Sequence, residues 1–158
     1  MTRISFLSTL LMGVFVAVSL VARSGDAQKK EQVVIEITDP QNGSKVGRET
    51  IVKGTAHLPS GHYLWVLARR NDFKPLWWPQ REAEVDPKTH KWGATAVFGG
   101  SQDIGWDFDI GVIAVNTEGH ALLRDYWIKA MRTGDWRPIE IPPTPSPPQT
   151  LKVKKVSH

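Results

Sequence analysis

Two segments of this chain are apolar on both faces of an extended strand, and they limit the possible folds more than any other feature. Residues 63–69 read YLWVLAR, and residues 107–116 read DFDIGVIAVN. Alternate side chains of a strand point to opposite faces, so a strand that is apolar throughout must be covered on both sides. We therefore expect the two segments to lie side by side in one sheet, with a second sheet covering one face.

The cover for the other face is predicted by a change of periodicity directly after the second segment. Within residues 118–131, Leu123, Trp127 and Met131 recur every four residues, which is the spacing of one helix face. A helix over 118–131 would cover the two strands from outside. The residues that fit its N-cap and its end are Thr117 and Gly134.

Shorter segments between turn sequences complete a mostly β chain. The segments that read as further strands are residues 33–38, 50–56, 76–80, 91–98 and 151–156. Pro79 must end its strand or confine it to a sheet edge, and the alternating charges of 151–156 are typical of a solvent-exposed edge. The pattern predicts an antiparallel β-sandwich with one α-helix before the last strand.

The first 27 residues have the order of a secretory signal. Arg3 precedes an apolar run of 16 residues over 6–21, shorter than the roughly 20 that cross a bilayer. Gly25 and Ala27 are the small residues expected at a cleavage site. We expect cleavage after Ala27 and a secreted or periplasmic mature chain that does not span the membrane; the alternative is an uncleaved anchor.

The mature chain is expected to form one domain. Residues 28–32 lead into a sandwich over 33–136, and residues 137–149 form a proline-rich bridge to the last strand and basic tail at 150–158. A run so rich in proline is extended, as in polyproline II. It either stiffens the connection or, through its P-x-x-P spacing, docks into an aromatic groove.

Composition excludes several classes of function. The chain has 20 basic and 16 acidic residues, and removing Arg3, Arg23 and Asp26 leaves 18 and 15, a net charge of +3. The positive residues are scattered apart from those at 152–155, so no nucleic-acid partner is expected. The chain has no cysteine, which excludes a disulfide framework, a thiolate nucleophile and a thiolate metal site. No cofactor is expected.

Two stretches resemble the opening strands of bacterial immunoglobulin-like domains. ITDPQNGSKV at 37–46 ends a strand in a proline turn with a glycine, and IVKGTA at 51–56 contains the V-x-G-T pattern of the next strand. Trp65 looks like the core tryptophan of such sandwiches. The resemblance covers residues 33–116 and implies an immunoglobulin-like or fibronectin III-like sandwich of a secreted protein. It implies no activity, because this fold carries many functions.

Three carboxylates are the candidates for a metal site. Asp103, Asp107 and Asp109 lie close together in sequence and could supply oxygen ligands to calcium or another divalent ion. The alternative is a loop followed by a solvated strand start. His57 and His62 flank a turn and would need a carboxylate from elsewhere to hold a metal. No serine has the sequence context of a nucleophile, so we expect no enzyme.

The adjacent tryptophans of LWWPQ are the candidates for a binding surface. In an extended strand Trp77 and Trp78 point to opposite faces, so one ring joins the core with Trp65 and Trp92. The other is either covered by the proline-rich bridge or exposed as a platform for sugars or peptides.

The predicted role is a non-catalytic binding or assembly module for an envelope protein or polysaccharide. The alternative is a divalent-metal-dependent hydrolase that uses the region 103–109. The candidate ligand-binding residues are Trp77, Trp78, Gln80 and Arg69.

Overall fold

The computed structural model describes residues 32–158, which form two sheets and one helix and are mostly β. The predicted signal at 1–27 and nearly all of the lead at 28–32 lie outside the described residues. Within the described range, no helix combines the length and the apolar character that crossing a membrane requires.

The helix lies directly before the last strand, as predicted. The elements are β1 Val34–Asp39, β2 Ser44–Val46, β3 Glu49–His57, β4 His62–Arg70, β5 Trp78–Ala83, β6 Lys91–Val97, β7 Asp107–Asn116, α1 Thr117–Thr133 and β8 Gln149–Lys155. Two short 3₁₀ turns, Asn71–Phe73 and Ser101–Asp103, precede β5 and β7.

The strands form a three-stranded sheet in the order β1-β3-β6 and a five-stranded sheet in the order β2-β8-β7-β4-β5. Pairing is antiparallel except between β2 and β8, which are parallel. The three-residue β2 was not predicted, and it pairs with β8. The expectation that the last strand is a sheet edge is therefore wrong. Pro79 lies in β5, at the edge of its sheet, as expected.

β4 and β7 are neighbours, which confirms the interpretation of the two segments that are apolar on both faces. Their inward side chains, among them Leu64, Val66 and Val112, pack between the sheets against Val52 of β3 and Trp92 of β6. The interior of the sandwich is therefore built from alternate positions of each strand.

The outward side chains of the same two strands form a second cluster under the helix. Leu67, Ile113 and Val115 pack there with Leu123 of α1. This is the cover predicted from the helical period, and it explains why the middle parts of β4 and β7 are apolar on both faces.

Trp65 belongs to this outer cluster, although a place between the sheets beside Trp92 was expected. It is buried, and its indole N–H donates to Nδ1 of His120 on the helix at 3.2 Å. Odd-numbered residues of β4 face outward, so Leu64 and Val66 fill the interior instead. A difference of one residue in the position of a strand changes the face of every side chain.

The helix begins one residue earlier than expected. The N-cap is Asn116, whose side-chain oxygen accepts from the Gly119 amide at 2.9 Å, and Thr117 is already helical. Gly134 ends the helix in the left-handed conformation with φ of 71°, as predicted, because glycine adopts this conformation without steric strain.

The buried face of the helix is narrower than predicted. Leu123 and Ala130 are buried against the sheet, and Trp127 is half-buried. Met131 is 58% exposed, which corrects its assignment to the core. The helix packs along Gly119, Leu123 and Ala130, and Met131 is turned about 100° away from its neighbour Ala130, onto the flank of the helix.

Candidate functional site

The two adjacent tryptophans point to opposite sides of the five-stranded sheet, as predicted. Trp77 is 4% exposed and belongs to the outer cluster with Leu67. Trp78 is half-buried and lies beside Ala68 and Phe108, whose side chains face the space between the sheets. The two rings therefore have different surroundings.

Trp77 is held on three sides. Its backbone exchanges two hydrogen bonds of 2.8 Å with Ile139 of the proline-rich bridge, and the guanidinium carbon of Arg69 lies 3.9 Å from the ring centroid. Gly111 of β7 leaves the space that the ring fills, because a Cβ there would lie 2.8 Å from two ring atoms. Trp77 is therefore a packing residue.

This arrangement corrects part of the expectation for the pair. The buried ring does join Trp65, but Trp92 lies on the other side of the sheet. The proline-rich bridge covers Trp77, the buried ring, and not the second tryptophan.

Trp78 is positioned by two contacts. Its indole N–H donates to the carbonyl oxygen of Trp136 at 2.5 Å. Its ring meets Phe73 of the first 3₁₀ turn edge to face, with centroids 4.7 Å apart. Because both contacts restrict the indole, the remaining ring surface is presented in a defined orientation.

A cavity of about 310 Å³ lies at this end of the sandwich, where β4 ends and β5 and β7 begin. Three aromatic rings and several polar groups share its wall. The lining residues are Ala68, Arg70, Phe73, Trp78, Val97, Gly99, Gln102, Asp103 and Phe108.

Arg70 organises the polar side of the cavity. Its guanidinium donates to both carboxylate oxygens of Asp72, at 2.7 and 2.8 Å, and to Asp103 at 2.5 Å. Its planar head lies over Phe73 at 4.9 Å and over Trp106 at 4.5 Å. Such a bidentate, doubly stacked guanidinium is fixed in place before any ligand arrives.

These contacts also set the charge state at the cavity. The hydrogen bond from Arg70 lowers the pKa of Asp72 below its usual value. The same bond raises the pKa of Arg70. Near neutral pH the cavity rim therefore carries an arginine cation paired with an aspartate anion.

The three aspartates of the predicted metal site are not brought together. Asp103 pairs with Arg70 at the cavity, whereas Asp107 pairs with Lys154 at 3.2 Å on the outer face of the sheet. Within residues 32–158, no three His, Cys, Asp or Glu side chains form a group that could hold a metal ion.

Asp109 has its own cation, Arg69, at 2.7 Å. This ion pair bridges β4 and β7 on the outer face, beside the stacked Trp77. Arg69 was a candidate ligand-binding residue, and its contacts hold the two strands and the indole together.

Gln80 also makes structural contacts. Its Oε1 accepts from the Val97 amide at 2.8 Å, and its Nε2 donates to the carbonyl of Trp78 at 3.1 Å. The side chain therefore links β5 to β6 of the other sheet, next to the cavity. Of the four candidate ligand-binding residues, Trp78 alone lines the cavity.

His57 and His62, the predicted histidine pair, do not contact each other in this arrangement; each has another neighbour. The ring of His57 lies against that of His90, with centroids 4.0 Å apart and the planes tilted by 32°, while His62 contacts the carbonyl of Ser60 at 3.3 Å. The turn that was expected to join His57 and His62 leaves them on different strands of different sheets.

Sequence reasoning missed Arg70, Phe73 and Gln102. A signal for the first two is present in RRNDF at 69–73, where an arginine, an acid and an aromatic precede the tryptophan pair. The 3₁₀ turn folds this stretch back on itself. Gln102 carries no comparable signal, because it reaches the cavity through a loop that is distant in sequence.

Comparison with known proteins identifies no family for this chain. No protein-family model matches it, and no curated protein matches it. Among solved structures it is similar to the X-ray structure of the endo-beta-1,4-mannanase from Thermotoga petrophila, with a TM-score of 0.44 and 10% identity. The match covers 84% of this chain and 22% of the mannanase, so the chain spans about a fifth of that protein's length.

Proposed function

We propose that this protein is a non-catalytic binding module whose cavity takes a glycan of the cell envelope. The observation that carries the proposal is the cavity at the end of the sandwich, in which aromatic rings stand beside preset polar groups. Ligand sites in proteins combine apolar walls with a few convergent polar groups in this way.

The wall chemistry favours a sugar. The rings of Phe73 and Trp78 offer apolar surface for the C–H faces of a pyranose, and restricted rings lose little conformational freedom on binding. The amide of Gln102 and the carboxylate of Asp103 can exchange hydrogen bonds with hydroxyl groups. An envelope protein that inserts a side chain here is the alternative partner.

A non-catalytic role is supported by the state of the carboxylates. Glycoside hydrolysis needs one carboxylic acid with a raised pKa, which serves as the proton donor. At the cavity the pKa of Asp72 is lowered by Arg70, and Asp103 is paired with the same guanidinium at 2.5 Å. These acids are suited to holding Arg70 in place.

Titration calorimetry with fractionated envelope polysaccharides tests the proposal. We expect one fraction to bind and Trp78→Ala to weaken its binding by about tenfold, on the order of 1.4 kcal/mol. Trp136→Ala is the matched control, because its indole is exposed and does not line the cavity. Equal binding by wild type and Trp78→Ala would remove the cavity as the site. Capture of an envelope protein in a Trp78-dependent manner would replace the glycan with a protein partner.

We propose further that the sandwich is of immunoglobulin-like type. In that fold one sheet contains the second and fifth strands side by side, and the other contains the third, sixth and seventh. When the three-residue β2 is left out of the count, β3 and β6 are the second and fifth strands, and they pair. The third, sixth and seventh strands are then β4, β7 and β8, which are neighbours in the other sheet. The helix α1 is inserted before the last strand. An experimental structure in which β3 and β6 do not pair would contradict the assignment.

The proposed location is outside the cytoplasm, with the mature chain beginning at Gln28. The support is the sequence of residues 1–27, in which an apolar run over 6–21 is followed by the small-residue ending Gly25-Asp26-Ala27. Intact mass of the exported protein tests this: a species that starts at Gln28 is expected, and one that retains Met1 in a membrane fraction would contradict both cleavage and location.

A further inference from the structure

The charged side chains at the cavity are engaged with one another and with the backbone. Of the described residues that line it, only Arg70 and Asp103 carry charge, and they form an ion pair of 2.5 Å. The second carboxylate oxygen of Asp103 accepts from the Gly100 amide at 2.8 Å. Asp72, outside the lining, accepts from the same guanidinium through both of its oxygens. Two carboxylates therefore share one arginine, and this group of three carries a net negative charge.

A buried lysine supplies the balancing positive charge. Lys155, at the end of β8, is fully buried, and its ammonium donates to the carbonyl of Gly100, the residue whose amide holds Asp103. Its backbone is fixed as well, because it exchanges hydrogen bonds of 2.8 and 3.0 Å with Gly105 and Trp106. A buried charge is tolerated where a charge of opposite sign lies near it. Lys155 is linked to Asp103 through a single residue.

The two cations and two carboxylates form a neutral network. A charged ligand group that enters the cavity loses its hydration shell, and among the lining residues described above it meets no counter-ion that lacks a partner. An anionic group would in addition face the carboxylate of Asp103 on the wall, and like charges at an interface are costly. Lys74, which adjoins the lining residue Phe73, approaches Asp109 on the outer face at 3.9 Å and does not line the cavity.

We propose that the cavity takes uncharged sugars and rejects acidic ones, whether the acid is a carboxylate or a phosphate. The inference rests on the proposed function, because it names the class of glycan for the same cavity. The rings of Phe73 and Trp78 suit the C–H faces of a sugar and require no charge on it. The amide of Gln102 offers both a donor and an acceptor to hydroxyl groups. Stacking and neutral hydrogen bonds are therefore what the cavity offers a ligand.

Envelope polysaccharides separated by charge test this inference. Ion-exchange chromatography gives an uncharged fraction, which neither an anion nor a cation exchanger retains, and an acidic fraction, which the anion exchanger retains. In titration calorimetry with the full chain, we expect the uncharged fraction to bind at least about tenfold more tightly, with weaker binding in Trp78→Ala. Acidic material that binds equally well or better, and also depends on Trp78, overturns the inference but leaves the cavity as a glycan site. If neither fraction binds, the proposed function fails and the inference fails with it.

Asp72→Asn tests the charge balance directly. Asparagine keeps the shape of the side chain but removes one negative charge beside Arg70, so the network becomes positive. The Asp72 side chain is 40% exposed, and we expect the variant to fold. The acidic fraction should bind it at least about fivefold more tightly than the wild type, and this gain should fall as salt is raised because exposed charges are screened. Unchanged binding of the acidic fraction would contradict charge balance as the cause of the selectivity.

Asp135→Asn is the matched control. Asp135 also accepts from one arginine through both oxygens, in this case Arg137 at 2.9 and 2.6 Å, and its side chain is 35% exposed. It does not line the cavity, so its replacement should leave the binding of both fractions unchanged. An equal gain in acidic binding in Asp135→Asn would assign the effect to the net charge of the whole protein and would overturn the proposal.

Discussion

Gly111 of β7 lies directly beneath the indole of Trp77. A Cβ at this position would lie 2.8 Å from two atoms of the ring, and Arg69 stacks on the same indole at 3.9 Å. We expect Gly111→Ala to lower the free energy of unfolding by about 1–3 kcal/mol, the usual cost of overpacking a filled site. Chemical denaturation with Trp fluorescence measures it.

Gly93 of β6 provides the matched control. A Cβ there meets its nearest atoms at 3.8 Å, which is ordinary van der Waals contact. Gly93→Ala should change the free energy of unfolding by less than about 0.5 kcal/mol, or stabilise the protein slightly by restricting the unfolded chain. Equal effects at Gly93 and Gly111 would mean that Trp77 does not pack on β7.

The places of the four candidate ligand-binding residues were predictable only where local geometry determines them. The alternation of side chains along a strand predicts that Trp77 and Trp78 point to opposite faces, and the structure confirms this. The roles of Gln80 and Arg69 depend on partners from other strands, Val97 and Asp109, and no periodicity reports such distant partners.

At the scale of the element, two adjacent leucines show which face of α1 packs on the sheet. Leu123 is fully buried in the outer cluster, whereas Leu122 is 56% exposed. Leu123→Ala should cost about 2–5 kcal/mol, as for other buried leucines, and Leu122→Ala less than about 0.5 kcal/mol. Thermal unfolding of both variants tests whether the helix packs as described; equal melting temperatures would show that it does not.

The proline-rich bridge is the second element that covers the outer face. Replacing Ile139, Ile141 and the prolines of 142–148 with Gly and Ser should expose the ring of Trp77, about 150–250 Å² of surface. At ~25 cal/mol per Å² the loss is about 4–6 kcal/mol at most, because the unfolded chain already buries part of it. We expect lower stability and red-shifted Trp emission.

A smaller replacement controls for chain stiffness. Pro143, Pro145 and Pro147 are exposed, so changing these three to Ala should leave the emission maximum in place. If the full replacement leaves the emission maximum unchanged, the bridge does not cover Trp77. The indole of Trp77 would then again be a candidate ligand contact.

Which elements exist, and which two strands lie side by side, could be read from the sequence because burial on both faces leaves a pattern. The assignment of faces could not. Trp65 was expected between the sheets and lies under the helix, since the parity of β4 is set by its pairing with β7. The three-residue β2 is too short to show a period, so the second partner of β8 was also missed.

Over the whole molecule, the two clusters share one pair of strands. β4 and β7 contribute Val66 and Val112 to the interior, and Leu67 and Ile113 to the outer cluster. Loosening the helix therefore exposes one face of the strands that also carry the sandwich. We infer that helix and sandwich unfold as one unit. The pH range over which the protein is stable is therefore a property of the whole molecule and not of either part.

Aspartates that gain partners on folding contribute to the acid dependence of stability, each of them modestly because solvent screens the pairs. The pKa of Asp72 is lowered by Arg70, that of Asp135 by Arg137 and that of Asp86 by backbone amides. A lowered pKa stabilises the folded state above the unfolded value, near 3.8, and this stabilisation is lost as pH falls through the lower folded value. The denaturation midpoint should be level above pH ~5 and fall below pH ~4. Asp72→Asn with Asp135→Asn should flatten that fall.

The alkaline limit involves Tyr126, which lies half-buried between α1 and the start of the proline-rich bridge. Burial, with a smaller contribution from Asp135, raises the pKa of Tyr126 to about 12, and its hydroxyl donates to the carbonyl of Arg137 at 3.0 Å. A raised tyrosine pKa favours the folded state below the unfolded value of 10.0. That contribution is lost as the pH rises from 10 towards 12. Titration of tyrosinate absorbance should show one group ionising near 12, absent from Tyr126→Phe. Ionisation of that group near 10 in the folded protein would contradict the burial of Tyr126 against the bridge.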